Sequence, residues 1–334
     1  MTGTAATEQP LPAGESAPVP VTAPRAGLRG SLVMAGAALV ARLPEAPLVA
    51  AAESAGELWY RIAPARRNQA RANLARVCEG LAATNRGSAA VRRAATDPDA
   101  LERLVRAAFR HAARYYLEVA RAGSYDLETA LARLDIDDED GVREALAHGG
   151  PVVIVGMHSG AIELPVVMLS HLVGERVMAP MELVSDPALQ RWFVSSRGRI
   201  GVNIIPLVNA RRAMLRALRG GHSVGIVVDR DLTGTGVDVP FFGHPAPIAV
   251  GPALLAQEVG VPIYAAAARR VGGGRYRCRV VRVPGPEGGT RRERLIAQTA
   301  AVAATLETLL ADAPEQWWGA FHPIWPDLDQ GAAS

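Results

Sequence analysis

Apolar positions in this chain recur with two different periods, and the switch between them divides it. Over residues 28–121 they fall three and four apart, the spacing of a helix face. Leu28, Leu32, Leu39 and Leu43 form one stripe, flanked by Arg29 and Arg42. Leu58, Ile62, Leu74 and Val77 lie beside Arg66, Arg67, Arg71 and Arg76, which predicts one basic amphipathic helix over 58–77. A third stripe, from Leu101 through Ala108 and Tyr115 to Val119, predicts a helix over 99–121. From Leu134 the rhythm changes. Short apolar runs at 151–156, 176–179, 203–206, 223–229, 262–267 and 276–283 alternate with helical patterns at 142–148, 187–199, 211–219, 252–259 and 292–312, and a further helix is expected from the turn after Gly156 to Val173.

Repeated β-α units build a mostly parallel central sheet flanked by helices, so the fold class is α/β. Residues 1–26, rich in Pro and Ala without an apolar period, are expected to be disordered. They lack the charged start and apolar core of a signal peptide. Three segments follow: 1–26 as a tail, 27–123 as a helical region, 124–330 as the α/β domain. The first apolar stripe is too short for a spanning helix, which needs about 20 apolar residues. It fits either a membrane interface or packing on the domain.

All 36 basic residues are Arg, so any phosphate contact is made by a planar guanidinium whose charge is permanent. The net charge of +3 is mild but uneven. Residues 57–121 carry 13 Arg against 6 acids, and residues 126–144 carry 8 acids against 2 Arg. Such blocks form solvated faces, and the basic one also suits anionic headgroups. Cys78 and Cys278 match no metal or redox spacing, in keeping with a reducing compartment. The seven His show no paired ligand spacing, so no metal is expected. Neither a phosphate-loop nor a nucleic-acid-reading motif appears.

Candidate chemistry gathers at strand ends. In PVVIVGMHSGAIELP a buried strand runs through Gly156 into a turn carrying His158, with Glu163 five positions on. Five residues of continuous helix are about 500° of rotation, so the two side chains converge only if His158 lies on the loop and Glu163 on the helix's first turns. That junction is where α/β sheets place ligands. A neutral imidazole oriented by a carboxylate takes a proton from a hydroxyl; a surface or capping pair is the plainer reading. Ser159 reads as a helix N-cap, since the G-x-S-x-G elbow is absent. SVGIVVDRDLTG puts Asp229, Arg230 and Asp231 at another strand end, where a carboxylate either pairs with His158 or bonds turn backbone. Arg197 and Arg199, just before Gly201, suit a phosphate or simply complement a helix end. Phe241 and Phe242 in a Pro/Gly loop are a core plug or the wall of an apolar channel. Trp317, Trp318 and Trp325 form a lipid-facing rim or pack inside.

With these pieces in order the chain resembles the bacterial lysophospholipid acyltransferase superfamily, and within it the branch of lipid A late acyltransferases and phosphatidylinositol mannoside acyltransferases. The resemblance covers residues 28–326 and rests on GMHSGAIE, on the Arg of SSRGRIG, on VVDRDLTGTGVDVPFFG with GPALLA, and on PEQWW with HPIWP. It implies a glycerolipid acyltransferase-like fold with a membrane-proximal helical start. His158 would be general base, Glu163 would orient it or hold the donor, and Asp229 would position the acceptor hydroxyl. Arg197, rather than Arg199, would hold phosphate, with Arg230, Asp231, Phe241 and Phe242 lining the substrate site. The donor would be acyl-CoA or acyl-carrier protein, with no further cofactor, and the acceptor a glycolipid or phospholipid, phosphatidylinositol mannoside-like ahead of lipid A. Peripheral attachment to the cytoplasmic face of the inner membrane follows. A thioester hydrolase and a non-catalytic lipid-binding protein are the alternatives; His158, Glu163 and Asp229 standing together count against the second. Backbone N–H groups at the start of the helix after His158 would stabilise the oxyanion.

Overall fold

The computed structural model describes residues 28–121, 127–172, 177–232 and 234–329. The tail expected at 1–26 lies outside them. Five helices come first: α1 (Leu28–Val40), α2 (Glu45–Ile62), α3 (Pro64–Ala83), α4 (Ala89–Ala94) and α5 (Pro98–Arg121). The single helix expected over 58–77 is two. Pro64 has no N–H to continue α2 and instead starts α3 at a position where none is needed.

A seven-stranded sheet follows, in spatial order β1 (Leu134–Asp138), β9 (Arg275–Arg282), β8 (Ile263–Gly272), β2 (Val153–Gly156), β5 (Val224–Val227), β3 (Val177–Met181), β4 (Val202–Pro206). Every pairing is parallel except β8 with β9, which are joined through Gly273 and Gly274, both at positive φ. The helices α7 (Glu139–Ala147), α8 (Leu164–Leu172), α9 (Pro187–Arg199), α10 (Ala210–Arg219), α11 (Gly251–Val259) and α12 (Arg291–Leu310) cover it. The α/β class with a mostly parallel sheet is therefore observed. Strand β1 escaped notice in the sequence because its residues, LDIDD, are mostly acidic. Its acids answer the alternating Arg of β8 and β9: Asp135 pairs with Arg275, and Asp137 with Arg269 and Arg277. Part of the acidic block is thus a charged sheet edge, one way an edge resists adding strands.

The helical region and the sheet share one hydrophobic core. Leu74, Val77 and Phe109 are buried in the same cluster as Val153, Leu306, Trp317 and Trp325. Two buried amides of α3 hold the C-terminal tail: Gln69 donates to the carbonyl of Leu328, and Asn73 to those of Ala320 and His322. Among the described residues no helix is long and apolar enough to cross a membrane.

Candidate active site

Strand register brings the central pair together. Val153 to Gly156 of β2 face Val224 to Val227 of β5, each residue opposite the one 71 positions later. His158 and Asp229 lie two residues beyond those ends and keep the same offset, so they leave the sheet side by side. His158 Nδ1 is 2.7 Å from Asp229 Oδ1, and the His158 backbone N–H donates to Oδ2 at 3.0 Å. Of the two readings of Asp229, pairing with His158 is the arrangement seen.

Asp229 is only 1% exposed, and burial alone would raise its pKa. The neighbouring His158 and the hydrogen bonds it receives outweigh burial and hold the carboxyl below its usual range. The third donor is the indole N–H of Trp317, 2.7 Å from Oδ2. His158 is thereby fixed at Nδ1, while Nε2 has no partner among the described residues on a side chain 16% exposed. Trp318 packs edge-on against the imidazole, ring centres 4.3 Å apart, and stacks on Tyr115 at 4.9 Å. Its own N–H is buried without an acceptor among the described residues.

The loop 159–163 differs from the expected helix start. Ser159 is not an N-cap: it forms a β-bridge with Trp317, and α8 begins at Leu164. The tail segment 316–318 pairs with this loop, Gly160 N–H donating to the Gln316 carbonyl and Trp318 N–H to that of His158. Gly160 has φ +56, and a Cβ there would run into the Ala268 carbonyl. The amides of Ser159, Gly160 and Ala161 are all taken by protein carbonyls, so the loop's first N–H groups are not free to meet an oxyanion. Glu163 sits on the turn before α8 and is held not by His158 but by Arg197 of α9, at 3.0 Å. Arg197 also lies 3.4 Å from the Met181 sulfur and over the Phe193 ring. Glu163 borders an apolar cavity of about 60 Å³ floored by Ala161, Leu164, Val167 and Ile200.

Beneath the loop, Arg270 is a buried strut. Its guanidinium meets Glu118 of α5 through two bonds of 2.6 Å and donates to the Gly160 carbonyl at 3.1 Å. Gln316 bonds both the N–H and the carbonyl of the same residue, which fastens the tail to β8.

A half-buried, oriented imidazole at the carboxyl ends of two parallel strands is the setting in which the sequence blocks meet. Residues 20–326 match the family model for bacterial lipid A biosynthesis acyltransferases. The chain belongs to that family. Among relatives, a phosphatidylinositol mannoside acyltransferase of Mycolicibacterium smegmatis is 30% identical over 223 residues, covering 66% of this chain and 71% of the relative. One of Mycobacterium tuberculosis (strain H37Rv) is 33% identical over 156 residues, covering 45% of this chain and 49% of the relative. Acyl transfer is the enzyme class.

The remaining expected residues of this acyltransferase divide clearly. Phe241 and Phe242 are core, 0% and 2% exposed. They lie at the turn of a hairpin, β6 (Val237–Phe241) with β7 (His244–Ile248), whose prolines give its sequence the look of a loop. Phe241 stacks on Trp325, whose N–H donates to the Phe241 carbonyl at 3.2 Å. They are the plug, not a channel wall. Trp317 and Trp325 are likewise fully buried, so the Trp-rich tail is a set of pillars rather than a lipid rim. Asp231 accepts from the amides of Thr235 and Gly236 and so closes the loop before β6. Arg199 is exposed at the end of α9, while Arg230 is half-buried beside Asp229. Tyr115 and Arg270 carry no site signal in the sequence, and Trp317 and Trp318 are legible there only as a rim or as packing. PEQWW flagged the two Trp, but only the tail's return to the His158 loop gives them a task.

Proposed function

We propose that this acyltransferase moves a fatty acyl group from a thioester donor, acyl-CoA or acyl-carrier protein, to a hydroxyl of a phosphatidylinositol mannoside-like glycolipid. The names of the mycobacterial relatives support that acceptor class. One observation carries the chemistry: His158 is held at Nδ1 by a buried, ionised Asp229, which leaves Nε2 to act. Nε2 takes the proton of the acceptor hydroxyl as its oxygen attacks the thioester carbonyl. The tetrahedral intermediate collapses, the C–S bond breaks, and the imidazolium returns the proton to the departing thiolate. Asp229 keeps the productive tautomer and stabilises the imidazolium, as a carboxylate does in a Ser-His-Asp triad. A positioned base contributes about 10² to 10⁴ in rate. No cofactor beyond the donor is needed.

In this reading Asp229 orients the base, and Glu163 instead fixes Arg197 at the site wall. The cavity beside Glu163, rather than Phe241 and Phe242, takes the start of the acyl chain. Exposed Leu32, Leu39 and Leu43 around α1, with Leu58 and Ile62 of α2, support peripheral attachment to the cytoplasmic face of the inner membrane. A lipid A-type acceptor is the second reading, favoured by the description of the matched family. Thiol release from palmitoyl-CoA, followed with and without mannosylated phosphatidylinositol, tests the proposal. Release that depends on the glycolipid is expected; equal release without it would make the chain a thioester hydrolase.

A further inference from the structure

Most arginines around the site are already matched by a carboxylate: Arg71 by Glu102, Arg76 by Asp327, Arg197 by Glu163 and Arg270 by Glu118. Two are not. Arg66, on the first turn of α3, donates to the Phe321 carbonyl at 3.0 Å and has no carboxylate partner among the described residues. Arg230 follows Asp229 directly, and its side chain makes neither a hydrogen bond nor an ion pair with a described residue. Both are half-buried, and both charges bear on the ring of His322.

His322 is pinned by its backbone. Its carbonyl accepts from Asn73 at 2.7 Å, and its N–H donates to the Gly319 carbonyl at 3.0 Å. Its ring stands 6.3 Å from Trp318, which also packs against His158. The one carboxylate acting on His322 is Asp229, which is buried and already accepts three hydrogen bonds. Burial first, with Arg230 and Arg66 adding and Asp229 opposing, pushes the His322 imidazole down to about 4. Arg66, bonded to the carbonyl just before His322, and Arg230, next in sequence to Asp229, are two guanidinium groups without a carboxylate partner among the described residues, and their planar forks match phosphate oxygens.

We propose that Arg66, Arg230 and His322 form a phosphate-binding site at the mouth of the His158 site. It deepens the acyl-transfer reading and depends on it only for which substrate carries the phosphate. Two sources share the chemistry: the phosphodiester of an inositol lipid acceptor and the phosphates of the donor. The site also reassigns the anion-holding task given to Arg197, whose charge is spent on Glu163.

The test is calorimetric titration of the full chain with glycerophosphoinositol and, separately, with coenzyme A. Wild type should bind at least one. Arg66→Gln and Arg230→Gln should each weaken that binding by about 10- to 100-fold, the worth of a charge-assisted hydrogen bond. Arg66→Lys and Arg230→Lys should retain part of it, which separates lost charge from lost folding. Arg216→Gln, exposed near the end of α10 and outside the site described above, is the charge-loss control and should bind as wild type. Loss confined to glycerophosphoinositol assigns the site to the acceptor, and loss confined to coenzyme A to the donor. Wild-type binding of both probes by both Gln variants, or no binding of either probe by wild type at millimolar concentration, overturns the site. Binding needs no turnover and is repeated in His158→Ala. A chain that binds through these arginines yet transfers no acyl group overturns the acyl-transfer reading alone.

Discussion

Asp229→Asn removes one charge and leaves the shape, and the direction of its neighbours decides the outcome. The two donors with no choice of role, His158 N–H and Trp317 Nε1–H, both point at Oδ2. The amide oxygen of Asn therefore takes the Oδ2 place and its NH₂ group takes the Oδ1 place, 2.7 Å from His158 Nδ1. Two N–H groups cannot bond to each other, so Nδ1 must give up its proton and accept. The proton then sits on Nε2, the atom meant to act as base. The imidazolium also loses its counter-charge. The same change in a Ser-His-Asp triad costs about 10⁴ in kcat, and a loss of about 10³ to 10⁴ is expected here. Asp229 is buried beneath His158 and touches no substrate, so KM should stay within about twofold. Steady-state transfer from labelled palmitoyl-CoA at saturating lipid gives both constants, with the melting temperature as a folding control. A variant within about tenfold of wild-type kcat, or one that changes KM alone, would refute this role for the dyad.

Further perturbations probe the support around it. A Cβ at Gly319 would lie 2.5 Å from Asp229 Oδ2, so Gly319→Ala should lower kcat by about tenfold or more; a wild-type kcat would show the carboxylate to be movable. Glu118→Ala leaves the Arg270 charge buried and unpaired, and chemical denaturation should show a loss of about 3–5 kcal/mol; a loss below about 1 kcal/mol would contradict the strut. Thr290 and Glu293 form a reciprocal cap on α12, and Thr290→Ala should cost about 1 kcal/mol while leaving kcat unchanged. Burial, with nearby arginines adding, lowers His111 to about 3 and His322 to about 4, against about 6.5 when unfolded. Below that unfolded value the unfolded chain binds more protons than the folded one, so this stability is fully present above about pH 6.5 and falls as pH drops toward 4. Thermal melts of His111→Asn and His322→Asn should each show a flatter decline across that window; an unchanged slope would refute the assignment.

Much of this architecture is written in local pattern. The runs ending at Gly156 and Asp229 are strands because four to seven consecutive apolar residues bury on both faces of a parallel sheet. The helix over 187–199 appears with the bounds expected, started by Pro187 and capped by Asp186. Local pattern fails where the deciding partner is distant. Nothing in the spacing of His158 and Glu163 says that β2 pairs with β5, which alone makes Asp229 the neighbour. Nor does it show that Arg197, 34 residues on, claims Glu163. The sequence leaves the Trp tail open between a lipid-facing rim and internal packing for the same reason: its burial depends on Asn73, Gln69 and Arg270, contributed by α3 and β8. The β6–β7 hairpin was hidden by Pro240, Pro245 and Pro247, which are tolerable in a two-stranded ribbon whose outer edges need no ladder donors.

The central claim is that His158 is the base of an acyl transfer to a glycolipid. Purified protein with radiolabelled palmitoyl-CoA and a polar lipid extract containing mannosylated phosphatidylinositol, wild type beside His158→Ala, tests it most directly. Label entering one glycolipid band, and absent from that band with the variant, is the predicted result. Equal labelling by both proteins, or label released only as free fatty acid, would contradict it.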